Sequence, residues 1–170
     1  MRQCHLDSTC GKPDFYRELS TALHALIDGE PDWIANLANA SALLYQSLPD
    51  LNWAGFYLLK QDELVVGPFQ GKPACVRIAI GKGVCGTAAA RRESVIVTNV
   101  HEFPGHIACD SASNSEIVVP LVDGDRLIGV LDLDSPRFDR FTPADARLLE
   151  ALAEKIVAAC DWKLAGVDNY

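Results

Sequence analysis

Cys109 lies in Phe103-Pro-Gly-His-Ile-Ala-Cys-Asp110, a segment without hydrophobic periodicity, and two further cysteines, Cys75 and Cys85, precede it in glycine-bearing segments. Three carboxylates, Glu116, Asp132 and Asp134, follow it. Inert cysteines normally sit within apolar periodic stretches, so a cysteine in a polar loop is the better candidate for a reactive thiol. Carboxylates crowded together repel, so at least one holds a proton near neutral pH, and the group attracts a cation. The chemistry open to these residues is thiol redox catalysis on a small cationic or zwitterionic molecule.

The thiols differ in their settings. His106, three positions before Cys109, either lowers the thiol pKa or braces the loop, and a single histidine at this spacing favours bracing. Cys85 stands where Gly81-Lys-Gly-Val-Cys-Gly86 turns into a helix; free N–H groups there can stabilise a thiolate, or the side chain can pack beneath the turn. Cys75 closes the irregular run 67–75, which can swing, as a resolving cysteine requires. Cys160 continues an apolar helical stripe and reads as core. Cys4 and Cys10 read as tail thiols without a role. With His5 they offer an incomplete zinc set, and no Cys-x-x-Cys occurs, so no metal site is expected.

Asp132 and Asp134 are two apart on a strand and share a face. If residues 123–125 form a hairpin loop, Val122 faces Arg126 and Glu116 faces Asp132. Ile117 then faces Leu131 and Leu121 faces Leu127. A one-residue slip would mix carboxylates with leucines on both faces, so the clustering register is expected. The alternative is a pair of solvated strand-end aspartates and a loop glutamate. Trp53 and Tyr57, four apart, also share a face, either as core aromatics or as the apolar wall of a ligand site.

These residues need a scaffold. Residues 1–12 read as a flexible tail and 13–165 as a single domain. Pro13 opens a helix bearing Phe15, Leu19, Leu23, Leu26 and Ile27 at helical spacing, ended by Gly29. A second helix runs from Pro31 to before Pro49. Strands follow at 51–60, 63–66 and 76–80, then the glycine-rich turn, a short helix at 87–92 and a strand at 94–97. Residues 98–115 form a long loop, usually a functional feature in a compact domain. A hairpin at 116–122 and 126–134 precedes a last helix capped by Thr142, Pro143 and Asp145, with Leu148, Leu149, Leu152, Ile156 and Cys160 as its buried stripe. Hairpins in series with flanking helices predict an α+β fold: a central antiparallel sheet, helices mainly on one face and active-site loops on the other.

The bulk properties remove other classes. A net charge of −8 and a densest basic pair of only Arg91-Arg92 argue against nucleic-acid binding. No apolar run approaches the length of a membrane helix, and the first fifteen residues lack the apolar stretch of a signal peptide. A chain of 170 residues can build a core without a disulfide framework, so six cysteines read as thiol chemistry in a reducing, cytoplasmic setting.

With these motifs assembled, the chain closely resembles the free methionine-(R)-sulfoxide reductases, small stand-alone GAF-domain enzymes. The matching segments are Trp53-Ala-Gly-Phe-Tyr57, the run 67–75, Gly81–Gly86, Phe103–Asp110, Ser115–Pro120 and Leu131–Pro136. The resemblance implies a GAF-like fold, reduction of free L-methionine (R)-S-oxide to L-methionine, and Cys109 as catalytic cysteine. It implies Cys75 as the main resolving cysteine and Cys85 as an auxiliary thiol. Trp53, Tyr57, Glu116, Asp132 and Asp134 match its substrate pocket, and the chemistry of the residues themselves adds Glu116 or Asp134 as proton donor. It also implies a Cys109–Cys75 disulfide recycled by thioredoxin, no bound cofactor, and a homodimer. The competing expectations are a ligand sensor of the same fold and a peroxide reductase working through Cys109.

Overall fold

The computed structural model describes residues 12–105 and 110–165. The tail expected over 1–12 lies outside them, Lys12 excepted, as do Cys4, Cys10, His106 and Cys109. The described chain forms α1 (Lys12–Ile27), α2 (Trp33–Ser47), β1 (Trp53–Lys60), β2 (Glu63–Gly71), β3 (Arg77–Ala79), α3 (Gly83–Arg91), β4 (Val95–Val97), β5 (Ser115–Asp123), β6 (Arg126–Ser135) and α4 (Pro143–Ala159). The strands make one six-stranded sheet in the order β3-β2-β1-β6-β5-β4, with every pairing antiparallel. This is the expected α+β architecture. Among the described residues, no helix is long and apolar enough to cross a membrane.

Period explains the layers. On α1, Leu19, Leu23 and Ile27 recur every four residues and are buried, as are Leu37, Ala40 and Leu44 on α2 and Leu149, Leu152 and Ile156 on α4. These stripes pack with Ala54, Phe56, Leu58, Ile117, Val119, Leu131 and Leu133, the alternate residues of β1, β5 and β6, into the main core. Asp32 caps α2, its side chain accepting the Ala35 N–H at 2.9 Å. Thr142 and Asp145 form the expected reciprocal capping box on α4, behind Pro143. The opposite face of the sheet carries α3 and a second cluster that includes Trp53, Tyr57, Cys85, Val118 and Val130.

Four expectations need correction. First, β2 extends to Gly71, although Gly67 and Pro68 argue for an early end. A bulge opposite β1, between Gly55 and Tyr57, accommodates these two residues and lets pairing resume at Phe69. Second, α3 starts at Gly83, four residues before the expected helix. Its internal Gly86 is a packing glycine: a Cβ there would sit 2.4 Å from the Ala79 carbonyl oxygen. Third, the β5–β6 turn contains two residues, Gly124 and Asp125, and a bulge lies beyond it between Leu121 and Val122. Turn and bulge each shift the register by one, so Glu116 faces Asp134 rather than Asp132, Ile117 faces Leu133, and Leu121 faces Gly129. Because the total shift is two, the carboxylates keep a common face. Fourth, Cys160 is the half-buried C-cap residue of α4, with its sulfur 3.6 Å from Asn36 Nδ2, rather than a full member of the buried stripe.

Candidate active site

The face opposite the main core carries the site. Across β1, β6, β5 and β4, one row of paired residues reads Trp53, Asp134, Glu116 and Val97; the next reads Gly55, Asp132, Val118 and Val95. Gly55 leaves the space beside Asp132 to the Trp53 indole. A Cβ at Gly55 would lie 2.7 Å from the indole and 2.3 Å from Phe69 Cβ. Trp53 therefore lies flat between Phe69 and Tyr57, with ring centroids 5.1 and 5.9 Å away. Both expected aromatics are buried and wall the site, so core and ligand-wall readings meet in the same residues.

Their polar atoms hold the segment that bears Cys75. Trp53 Nε1 donates to the Lys72 carbonyl at 3.1 Å, and the Tyr57 hydroxyl donates to the Cys75 carbonyl at 3.1 Å. Cys75 is disulfide-bonded, while Cys85 and Cys160 are free thiols. The run 67–75 is thus less loose than its composition implies: residues up to Gly71 belong to β2, and the remainder is tied down at both ends. Burial, with the nearby carboxylates, keeps the Tyr57 hydroxyl protonated.

Beneath this segment is a cavity of about 30 Å³, lined by Trp53, Tyr57, Lys72, Cys85, Asp110, Ser113, Glu116, Asp132 and Asp134 among others. Glu116 and Asp132 are almost fully buried and Asp134 is partly buried. Burial pushes the Glu116 and Asp132 carboxyls well above the usual carboxylate range, and the neighbouring acids push them further. Asp134 is raised to about 7, chiefly by burial and also by the Asp110 charge, against a hydrogen bond from Ser113. The floor of the cavity is therefore a set of acids able to hold protons at neutral pH.

Cys85 sits in the first turn of α3 with its sulfur 3.9 Å from Glu116 Oε1. Burial and the charges of Asp132 and Glu116 raise its pKa well above that of a free thiol. Of the two expectations for Cys85, the structure favours packing beneath the turn, since burial and like charge oppose a thiolate there. Cys85, Glu116 and Asp132 bring one ligand atom each to within 4.8 Å of one another.

Other residues at the site were not singled out by sequence reasoning. Asp110 accepts from the Ala112 N–H at 3.0 Å, Asn52 Nδ2 at 3.2 Å and Lys72 Nζ at 3.2 Å. These contacts hold its carboxyl below the usual range, the Ala112 N–H foremost. Asn52 Nδ2 also reaches Ser113 Oγ at 2.9 Å. Asp110 thus ties the start of the 110–114 segment to Lys72, three residues before Cys75. Its place directly after Cys109 is the one signal that could have found it. Cys109 and His106 fall outside the described residues.

Residues 35–161 match the GAF domain family model. The chain is 57% identical over 155 residues to the free methionine-R-sulfoxide reductase of Escherichia coli, covering 89% of this chain and 94% of that one. The chain belongs to the free methionine-R-sulfoxide reductase family of GAF domains. The family's reductase from Saccharomyces cerevisiae is 45% identical over 164 residues, with 92% and 91% covered. The X-ray structure of the Neisseria meningitidis reductase in complex with its substrate superposes with a TM-score of 0.88 at 44% identity, covering 94% of this chain and 95% of that one.

Proposed function

We propose that this protein reduces free L-methionine (R)-S-oxide to L-methionine, with Cys109 as nucleophile. The observation that carries the proposal is the buried acid cluster of Glu116, Asp132 and Asp134 beneath the segment held by the Cys75 disulfide. Reduction of a sulfoxide needs a sulfur nucleophile and a proton for the departing oxygen. The Cys109 thiolate attacks the sulfoxide sulfur while Glu116 or Asp134 delivers a proton to its oxygen. The protonated oxygen passes from the substrate sulfur to the Cys109 sulfur as the S–O bond and the transient S–S bond break, so that methionine leaves with its thioether restored and Cys109 becomes a sulfenic acid. The Cys75 thiol then attacks that sulfenic sulfur, releasing water and forming a Cys109–Cys75 disulfide. A dithiol donor such as thioredoxin returns both thiols by exchange. Cys85 stands by as an auxiliary thiol, and no bound cofactor takes part.

The same acids define the substrate. An ammonium group entering a desolvated acid cluster pairs with a carboxylate as the latter loses its proton. A methionine sulfoxide within a peptide carries no such charge, so the free amino acid is preferred. A cavity of about 30 Å³ admits little more than a water or two. In this disulfide-bonded arrangement the segment 72–75 closes the site, and reduction of Cys75 frees it to move and admit the substrate. A cytoplasmic setting and a homodimer complete the proposal.

The test is methionine release from resolved R and S epimers of free methionine sulfoxide, with thioredoxin and its reductase as recycling system. Turnover of the R epimer alone is expected, and Cys109→Ser is expected to abolish it. Undiminished turnover by Cys109→Ser would remove the assigned nucleophile. Tight nucleotide binding without turnover would favour the sensor.

A further inference from the structure

We infer that Cys85, Glu116 and Asp132 form a binding site for a thiophilic divalent cation of the zinc class, at the floor of the active-site cavity. Their ligand atoms lie within 4.8 Å of one another, and the Cys85 Sγ to Glu116 Oε1 separation is 3.9 Å. A zinc ion takes sulfur at about 2.3 Å and carboxylate oxygen at about 2.0–2.2 Å, so two of its ligands stand roughly 3.5 Å apart. The Cys85–Glu116 pair is a few tenths of an ångström from that spacing, and a pair at the 4.8 Å limit must close by about 1.3 Å, within reach of side-chain rotation.

A second observation points to a ligand at the same place. Asp132 lines the cavity, and its Oδ1 is buried without a hydrogen-bond partner among the described residues. An unsatisfied buried carboxylate oxygen is costly and is normally relieved by a cation or a donor. A substrate ammonium would satisfy the oxygen but would not engage the Cys85 sulfur beside it. A metal ion uses both.

The donor set selects the ion. One thiolate and two carboxylates favour zinc or cobalt(II) over magnesium or calcium, which take oxygen alone. Three protein ligands leave a fourth position open toward the cavity. Binding requires that the Cys85 S–H proton and the carboxyl protons leave to solvent, so affinity rises with pH. On the proposed function, the ion and the substrate ammonium compete for Asp132 and Glu116, and free zinc slows the enzyme.

The experiment uses the full-length chain, reduced, with Cys4, Cys10, Cys75 and Cys109 replaced by Ser, so that Cys85 and Cys160 are the remaining thiols. Titration with cobalt(II) is expected to give a thiolate-to-metal absorption band at a stoichiometry of one, which zinc removes and magnesium does not. Adding Cys85→Ser is expected to abolish the band. Asp132→Asn, isosteric with the native side chain, is expected to weaken affinity by at least the tenfold to hundredfold that loss of a supporting contact costs. Absence of the band, or its survival unchanged in both variants, overturns the site. If Cys85→Ser melts at a lower temperature than its parent, Asp132→Asn decides. Metal bound at Cys85 that free methionine sulfoxide fails to displace upholds the metal site and counts against the proposed substrate pocket.

Discussion

Leu131 and Leu133 on β6 pack into the helix-covered core, while Asp132 and Asp134, alternating with them, enter the cavity on the other face. The two faces of this strand obey opposite rules. On the helix side Leu131 and Leu133 are buried among apolar side chains, and their loss is a matter of packing volume. On the cavity side Glu116, Asp132 and Asp134 crowd beneath Trp53 and Tyr57, and one Asp132 oxygen has no partner among the described residues. The core face supplies the stability that holds the acid face in an arrangement it would not adopt alone. Substitutions on the two faces should therefore separate catalysis from folding.

The largest separation is expected from the proton donors. Glu116→Gln and Asp134→Asn keep the shape and remove the acid, so turnover of the R epimer should fall by about 10²–10⁴-fold. Neither should lower the urea midpoint at pH 8, since each removes a buried acid that must either hold a proton or bear charge there. A variant that loses stability and keeps its kcat would place that residue in the scaffold instead. Leu131→Ala is the mirror experiment. It should cost about 2–5 kcal/mol in urea unfolding, with kcat per folded molecule changed little. A kcat loss matching that of the acid variants would erase the distinction between the faces.

This contrast also marks what the sequence could disclose. Alternation along residues 131–134 assigns the faces, and the helical stripes of Leu19, Leu23 and Ile27 or Leu149, Leu152 and Ile156 assign the covering layer. Both follow from side-chain period alone. The partner of Glu116 does not, because it depends on a two-residue turn and on one bulge, neither of which changes the hydrophobic pattern. Parity survived because the two errors added to an even number. The early start of α3 was hidden by glycines that read as turn residues, though Gly86 is there to let the helix approach Ala79. Asn52, Lys72, Asp110 and Ser113 carry no pattern at all. They come together from three separate segments, and their roles appear only once the chain is folded.

Acidity offers a third way to sharpen the comparison. Asp134 is raised from an ordinary carboxyl to about 7, and Glu116 and Asp132 are also raised, chiefly by burial. The unfolded chain releases these protons near pH 4, whereas the folded chain keeps them. Their contribution to stability is therefore full below about pH 4 and is lost as pH rises toward 7 and beyond. Urea unfolding should weaken between pH 5 and 8 by on the order of 2 kcal/mol, and Asp134→Asn should flatten that decline. Core-face variants should leave the slope untouched. A wild-type midpoint that rises across this range would mean that the cluster is ionised in the folded state.

The smallest effect belongs to the rim, where the faces meet solvent. Lys72 Nζ lies 3.2 Å from Asp110 Oδ1, but the lysine is largely exposed, so the pair is worth about 0–1 kcal/mol. Its position matters more than its strength, since it links the segment leading to Cys75 with the residue that follows Cys109. Lys72→Ala should leave the first release of methionine unchanged and slow the ensuing loss of two thiols by at most about fivefold, as followed by thiol counting after a single turnover. Salt near 1 M should reduce wild type to the rate of the variant, because an exposed pair is screened at that strength. Asp110→Asn should slow the step further, since Asp110 also holds Ala112 and Asn52. If both variants form the disulfide at the wild-type rate, the two cysteine segments meet without this clamp, and the Trp53 and Tyr57 hydrogen bonds to the 72–75 backbone alone set their approach.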